Sequence, residues 1–170
     1  MKNPLNVVAG IGLALGGVFG MIGTVVTQRN LQAASWGIDG VGLVVATSLL
    51  ALKFFRKGND VVAAGFLVFA IGEGILLSGT ATTLAESVPS FAAGTALWSA
   101  ALMLTSVPRE FALWVRLAGA IGSILFAITA ARIFWGEQVL PTSSPLPFFA
   151  YPFLVLAFVG WIWTLLKAAA

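Results

Sequence analysis

Apolar residues in this chain come in long unbroken runs, not in alternation. A membrane-crossing helix needs about 20 mostly apolar residues. Six stretches have that character: residues 6–27, 37–55, 61–80, 89–105, 113–135 and 149–166. In hydrocarbon the backbone groups must pair within the segment, which leaves helices or a closed barrel. Barrel strands alternate in polarity, and these runs are apolar on every face. The pattern therefore predicts an all-α, polytopic transmembrane bundle of about six spanning helices, forming one transmembrane domain over residues 1–170. Lys2 followed by an apolar run could be taken for a secretory signal. The run exceeds the usual core of about 7–15 residues, so it is expected to be a retained first helix.

Punctuation residues separate the runs. Gly58-Asn59-Asp60 divides the second from the third. Pro89 suits the first turn of helix four, with Ser87 nearby as a cap, and Pro108 is expected to serve helix five in the same way. Residues 136–147 form the longest connection. With Pro141, Pro145 and Pro147 it is expected to be a stiff, extended outer loop. The openings Val7-Val8-Ala9 and Val61-Val62-Ala63 are alike, and Leu117-Ala118-Gly119 begins a similar small-residue run. Three parallel helical hairpins would explain that likeness. Glycine-rich composition alone explains it more simply.

Composition agrees with a lipid solvent: 59% of the 170 residues are hydrophobic and 9% are charged. A water-facing surface cannot be covered with so few charges. The formal charge of +3 does not indicate nucleic acid, because the basic residues flank apolar runs and form no single patch. They fix a topology instead. Lys2, Lys53, Arg56, Lys57, Arg109, Arg116 and Lys167 fall at one set of helix ends, and Arg29 and Arg132 at the other. Six crossings with that bias put both termini in the cytoplasm, and the expected membrane is a bacterial inner membrane. Trp36, Trp135 and Tyr151 suit the outer interface, and Trp114 and Trp163 the inner one. Membrane lipids are the expected partners.

The chain contains no cysteine and no histidine. Disulfides, thiolate chemistry, imidazole metal sites and histidine acid–base work are therefore excluded. No cofactor is expected, and no phosphate loop or nucleophile–base set occurs. An enzyme is the least favoured class, since one central carboxyl rarely suffices for acid–base catalysis.

Glu73 is the main candidate for function. It lies in Ala70-Ile71-Gly72-Glu73-Gly74, near the middle of the third run. A charge at the bilayer centre costs about 2.5–3.5 kcal/mol on insertion scales. A protonated carboxyl costs less and can donate a hydrogen bond. By depth, its expected companions in a ligand or proton site are Thr47, Ser48, Thr95, Ser99 and Ser123. The competing role for Glu73 is an interhelical hydrogen bond that only fixes packing.

Gly12, Gly16 and Gly20 repeat every four residues, and Gly65, Gly72 and Gly79 every seven. Both series put small residues on one helix face and suit close helix packing. A homo-oligomer contact or a sliding surface would use the same faces. Asp39, expected in the first turn of helix two, is matched with Arg132 as an outer ion pair. The aromatics of the last run, Phe149, Phe153, Phe158, Trp161 and Trp163, are expected to fill the core. Two functions are carried forward. One is a carrier or binding protein for a lipid or small hydrophobic solute. The other is a structural or assembly subunit of a larger membrane complex.

Overall fold

The computed structural model describes residues 4–167; Lys2 lies outside the described residues. The described chain is an all-α bundle: α1 (Pro4–Val25), α2 (Arg29–Arg56), α3 (Asp60–Gly79), α4 (Val88–Ser106), α5 (Leu113–Phe134) and α6 (Tyr151–Lys167). One 3₁₀ turn, Phe148–Ala150, leads into α6. Six helical segments, the last counted from Phe148, are long and apolar enough to cross a membrane, so this is an integral membrane protein. Each helix packs against its neighbours in sequence, and α6 returns to α1, closing an up-and-down ring. Every adjacent pair shares an interface, so the molecule does not divide into three separate hairpins.

The ring has two chemically different ends. One carries Lys53, Arg56, Lys57, Arg109, Arg116 and Lys167 and is termed here the basic end. The other, the distal end, carries Arg29 and Arg132. Outer faces bear exposed aliphatic residues such as Ile11, Val18, Leu67, Ile71, Leu117 and Ile124. The buried polar residues include Thr47, Glu73, Thr95 and Ser123. Lipid as solvent explains an apolar exterior, since helices in lipid gain by packing and hydrogen bonding and not by hiding apolar area.

α2 departs most from its expected limits. It begins at Arg29, well before residue 37, and runs for 28 residues, about 42 Å. Arg29, Asn30, Gln32 and Ser35 lower the apolar character of its first turns and hid them. The turn into it is tied by side chains: Gln32 Nε2 donates to the Gly23 carbonyl at 3.0 Å. Arg29 donates to Gln32 Oε1 and to the carbonyls of Thr80 and Thr82.

The glycine series lie inside the ring. A Cβ at Gly12 would meet the Gly42 carbonyl at 2.5 Å, and one at Gly16 would collide with Leu43, so this face packs on α2. Gly65, Gly72 and Gly79 face α4 through Ala101, Gly94 and Ser87. Close approach of backbones gives dispersion contact that larger side chains would prevent.

α6 is held differently. Phe158 and Trp161 are buried, while Phe149 and Trp163 are exposed, so the aromatic series splits between core and lipid. Trp161 meets Phe66 at 4.8 Å, Phe158 at 5.6 Å, Phe69 at 6.1 Å and Phe111 at 6.3 Å between ring centroids. Phe54 stacks on Phe66 at 5.5 Å. These rings narrow the interior toward the basic end to a space of about 20 Å³. That end is closed by Lys53 Nζ donating to Asn6 Oδ1 at 2.7 Å. A Lys57–Glu110 pair at 3.6 Å adds to it.

Several local expectations are corrected. The Ser87 hydroxyl donates to the Leu84 carbonyl and does not cap α4, whose first turn nonetheless holds Pro89. Pro108 belongs to the α4–α5 turn, because α5 starts only at Leu113. Arg116 turns back on α4, donating to the carbonyls of Ser106 and Val107 at 2.7 and 2.9 Å. The proline-rich connection folds into turns: Ser143 N–H donates to the Leu140 carbonyl and Phe148 N–H to the Ser143 carbonyl. Burial of Val139 and the Tyr151 hydroxyl, which donates to the Pro141 carbonyl at 2.8 Å, pull it onto the distal end.

Candidate functional site

The distal half of the ring contains a cavity of about 80 Å³, several times the space that one water needs. Five helices wall it. α1 contributes Gly16, Gly17, Gly20, Met21 and Thr24. α2 supplies Trp36, Asp39 and Leu43, and α3 supplies Glu73, Leu76, Leu77 and Gly79. α4 adds Ser90, Phe91 and Trp98, and α6 adds Tyr151, Leu154, Val155 and Phe158. Pro141 reaches it from the folded connection.

Two carboxyls project into this largely apolar space. Asp39 is 8% exposed and Glu73 3%. Asp39 follows the start of α2 by ten residues, about 15 Å along the axis. It is therefore three turns inside the helix and not in its first turn. Glu73 precedes Gly79, the end of α3, by six residues, about 9 Å. It sits off-centre toward the distal end. The two acids line one cavity from helices packed against each other.

A glycine makes room for Asp39. A Cβ at Gly20 would lie 3.0 Å from Asp39 Oδ2, whereas one at Gly40 would crowd Leu77 at 2.9 Å and meet Glu73 Oε1 only at the ordinary contact distance of 3.4 Å. Gly20 thus does what sequence spacing alone does not show: it lets the Asp39 carboxyl rest on the α1 backbone.

The polar valences here are incompletely met. Asp39 Oδ1, Glu73 Oε2 and Trp98 Nε1 are the buried side-chain atoms without a hydrogen-bond partner among the described residues. The Trp98 indole N–H lines the same cavity as Glu73 and donates to no acceptor among the described residues. Buried polar atoms are nearly always paired, and an orphan in a cavity marks strain, function or an unseen partner.

The hydroxyl layer drawn from depth does not assemble around Glu73. Thr47 donates to the Leu43 carbonyl at 2.6 Å, and Thr95 to the Phe91 carbonyl at 2.7 Å. Ser123 donates to the Ser99 carbonyl at 2.7 Å, and the two serine hydroxyls are 3.3 Å apart. Ser48 is exposed on the outer face. None of the five lines the cavity. In apolar surroundings the nearest acceptor for a helical hydroxyl is a carbonyl one turn back. Equal depth therefore did not bring these groups to one point.

The Asp39–Arg132 pair is likewise not formed. Arg132 Nη2 lies 2.6 Å from Glu137 Oε2, and its Nε donates to the same oxygen at 2.8 Å. Glu137 is only five residues away in the turn after α5, whereas Asp39 faces inward.

Residues not singled out from sequence complete the site. Trp98 lies at helical spacing from Phe91 and Thr95, a face that could have been traced. Trp36 and Tyr151, which the sequence places at the outer interface, also line the cavity. At the cavity rim, Glu86 accepts from the Thr83 backbone N–H at 3.0 Å and from its hydroxyl at 2.8 Å. These bonds, the backbone one first, hold its carboxyl below the usual glutamate range. Among the described residues, no cluster of three acids could hold a metal ion. No protein-family model, curated protein or solved structure matches the chain.

Proposed function

We propose that this protein is a small membrane carrier or binding protein for a small hydrophobic solute with one polar group. The observation that carries this reading is the pair of buried carboxyls, each with an unpartnered oxygen, in a cavity inside the protein's own bundle. Packing alone would favour serine or threonine, which supply interhelical hydrogen bonds at lower desolvation cost. The glycine series support the same reading. They are occupied by α1–α2 and α3–α4 contacts and are not turned outward to await a partner subunit. One cavity wall, with Gly17, Met21 and Thr24 of α1 and Val155 of α6, is half-exposed on the lipid-facing surface. A solute dissolved in the bilayer would meet that wall first.

In this reading the basic end faces the cytoplasm, following the bias of lysine and arginine. The cavity then lies toward the opposite leaflet. Asp39 and Glu73 grip the solute's polar group, while the leucines and aromatic rings hold its apolar body.

Native mass spectrometry after gentle extraction from the source membrane tests the proposal. The expected result is a small molecule retained by the natural sequence and lost from Glu73→Gln. A stoichiometric protein partner with no small ligand would overturn it in favour of a complex subunit.

A further inference from the structure

The two acids do not stand alone in the cavity. Trp36, Phe91, Trp98, Tyr151 and Phe158 line it with them. Aromatic rings attract cations through their quadrupoles, most strongly where water is excluded, and cages of such rings recognise quaternary ammonium groups. A cation placed between two buried carboxyls favours their ionised form, which only accepts hydrogen bonds and so has no use for an anion.

Among the described residues, no positive side chain lines the cavity. Arg29 is bonded to the carbonyls of Thr80 and Thr82, Arg132 to Glu137 and Lys53 to Asn6. The titratable groups facing the site are Asp39 from α2, Glu73 from α3 and Tyr151 from α6, while α1 and α4 contribute none. Tyr151 already donates its hydroxyl to Pro141. An anion would meet two carboxyls and no cation. Among the described residues, no third acid joins the two carboxyls to hold a metal ion.

We propose that, within the binding role argued above, the cavity takes a small organic ammonium with an apolar body. Its positive charge would lie between Asp39 and Glu73, and its apolar groups would lie against the aromatic rings. This deepens that reading by naming the ligand class, and it can fail separately.

The test uses the full chain in nanodiscs of zwitterionic phosphatidylcholine, where lipid charge does not hold the cation. Benzyltrimethylammonium and its uncharged carbon isostere neopentylbenzene are titrated while tryptophan fluorescence is followed. The expected result is saturable binding of the cation, about tenfold or more tighter than the isostere. Asp39→Asn and Glu73→Gln should each remove most of that preference while unfolding at the natural temperature. These near-isosteric changes keep the helices intact, and circular dichroism verifies it. Equal binding of both probes would overturn the ammonium assignment and leave a hydrophobic-solute site standing. Cation binding unchanged in both variants would overturn it as well, since the probe would then lie elsewhere. Binding of neither probe would overturn it too. A retained native molecule in mass spectrometry would then preserve the broader reading, and its absence would remove both.

Discussion

The two halves of this bundle use the same helices for opposite ends. Toward the basic end, Phe54, Phe66, Phe111 and Trp161 narrow the interior with ring-to-ring contacts to a space of about 20 Å³, and the polar groups there find partners: Lys53 with Asn6, Lys57 and Asn59 with Glu110. Toward the distal end the interior stays open, and one oxygen of each of two carboxyls and an indole N–H lack a hydrogen-bond partner among the described residues. Neither half is less buried than the other in any simple sense. The difference is how far space and hydrogen-bonding capacity are filled: about 20 Å³ is left open at the basic end and about 80 Å³ at the distal end, where the unpartnered atoms also lie. A helix bundle that could have been packed with aromatics throughout instead keeps one half unfinished, and that half is where binding is proposed.

The sharpest way to break the comparison is to empty the filled half. Trp161 touches Phe66, Phe69, Phe111 and Phe158, so truncation removes the centre of the cluster. Trp161→Ala is expected to destabilise the protein by about 3–5 kcal/mol, because lost dispersion contact is not recovered from lipid. Denaturant unfolding in mixed micelles measures this. A loss below about 1 kcal/mol would show that the cluster collapses around the gap and is not a rigid plug.

The converse change fills the unfinished half. Glu73→Leu removes an unpaired buried carboxyl and adds apolar contact with Leu76 and Trp98. It is expected to stabilise by about 1–3 kcal/mol, the usual penalty for an unsatisfied buried polar group, while abolishing retention of the native small molecule. Stability and binding would then move in opposite directions, as they do where strain is kept for function. If Glu73→Leu destabilises instead, the carboxyl is holding helices together and the contrast between the halves disappears. Unfolding of this variant beside Glu73→Gln separates the two roles.

Much of this architecture was legible in the sequence, for a physical reason. The apolar runs are long and helices are the only way to satisfy their backbone in lipid, so helix number followed from composition. The prominence of Glu73 followed from its isolation among apolar residues. What could not be read was direction. Thr47 and Thr95 sit at plausible depths, but their hydroxyls close on their own helices. Asp39 reads as a first-turn acid from the sequence because Arg29, Asn30, Gln32 and Ser35 disguise the true start of α2. With about two more turns before it, the same residue becomes the second acid of the cavity. Arg132 was matched with Asp39 because both lay on one side. The local turn gave it Glu137 at far lower entropic cost.

The smallest expected effect lies at the rim of the open half, outside the membrane-spanning segments. Glu86 accepts from the backbone and hydroxyl of Thr83, and Glu86 N–H lies 3.3 Å from the Thr83 hydroxyl, a reciprocal box. Because those bonds favour the ionised carboxyl, its folded value is lowered from 4.5. The sign follows by linkage: the stabilisation is fully present above the unfolded value and is lost as pH falls through the folded one. Acidification below about 4.5 should therefore loosen the segment that carries Thr80, Thr82 and Ser87, while the filled half stays closed. Protection of the Thr83 amide from hydrogen exchange, corrected for intrinsic rates, measures this. The natural sequence should lose protection across that window, and Glu86→Gln should show weak protection at every pH. A pH step of the same size in Glu86→Gln would assign the loosening to another group and remove the rim from the contrast.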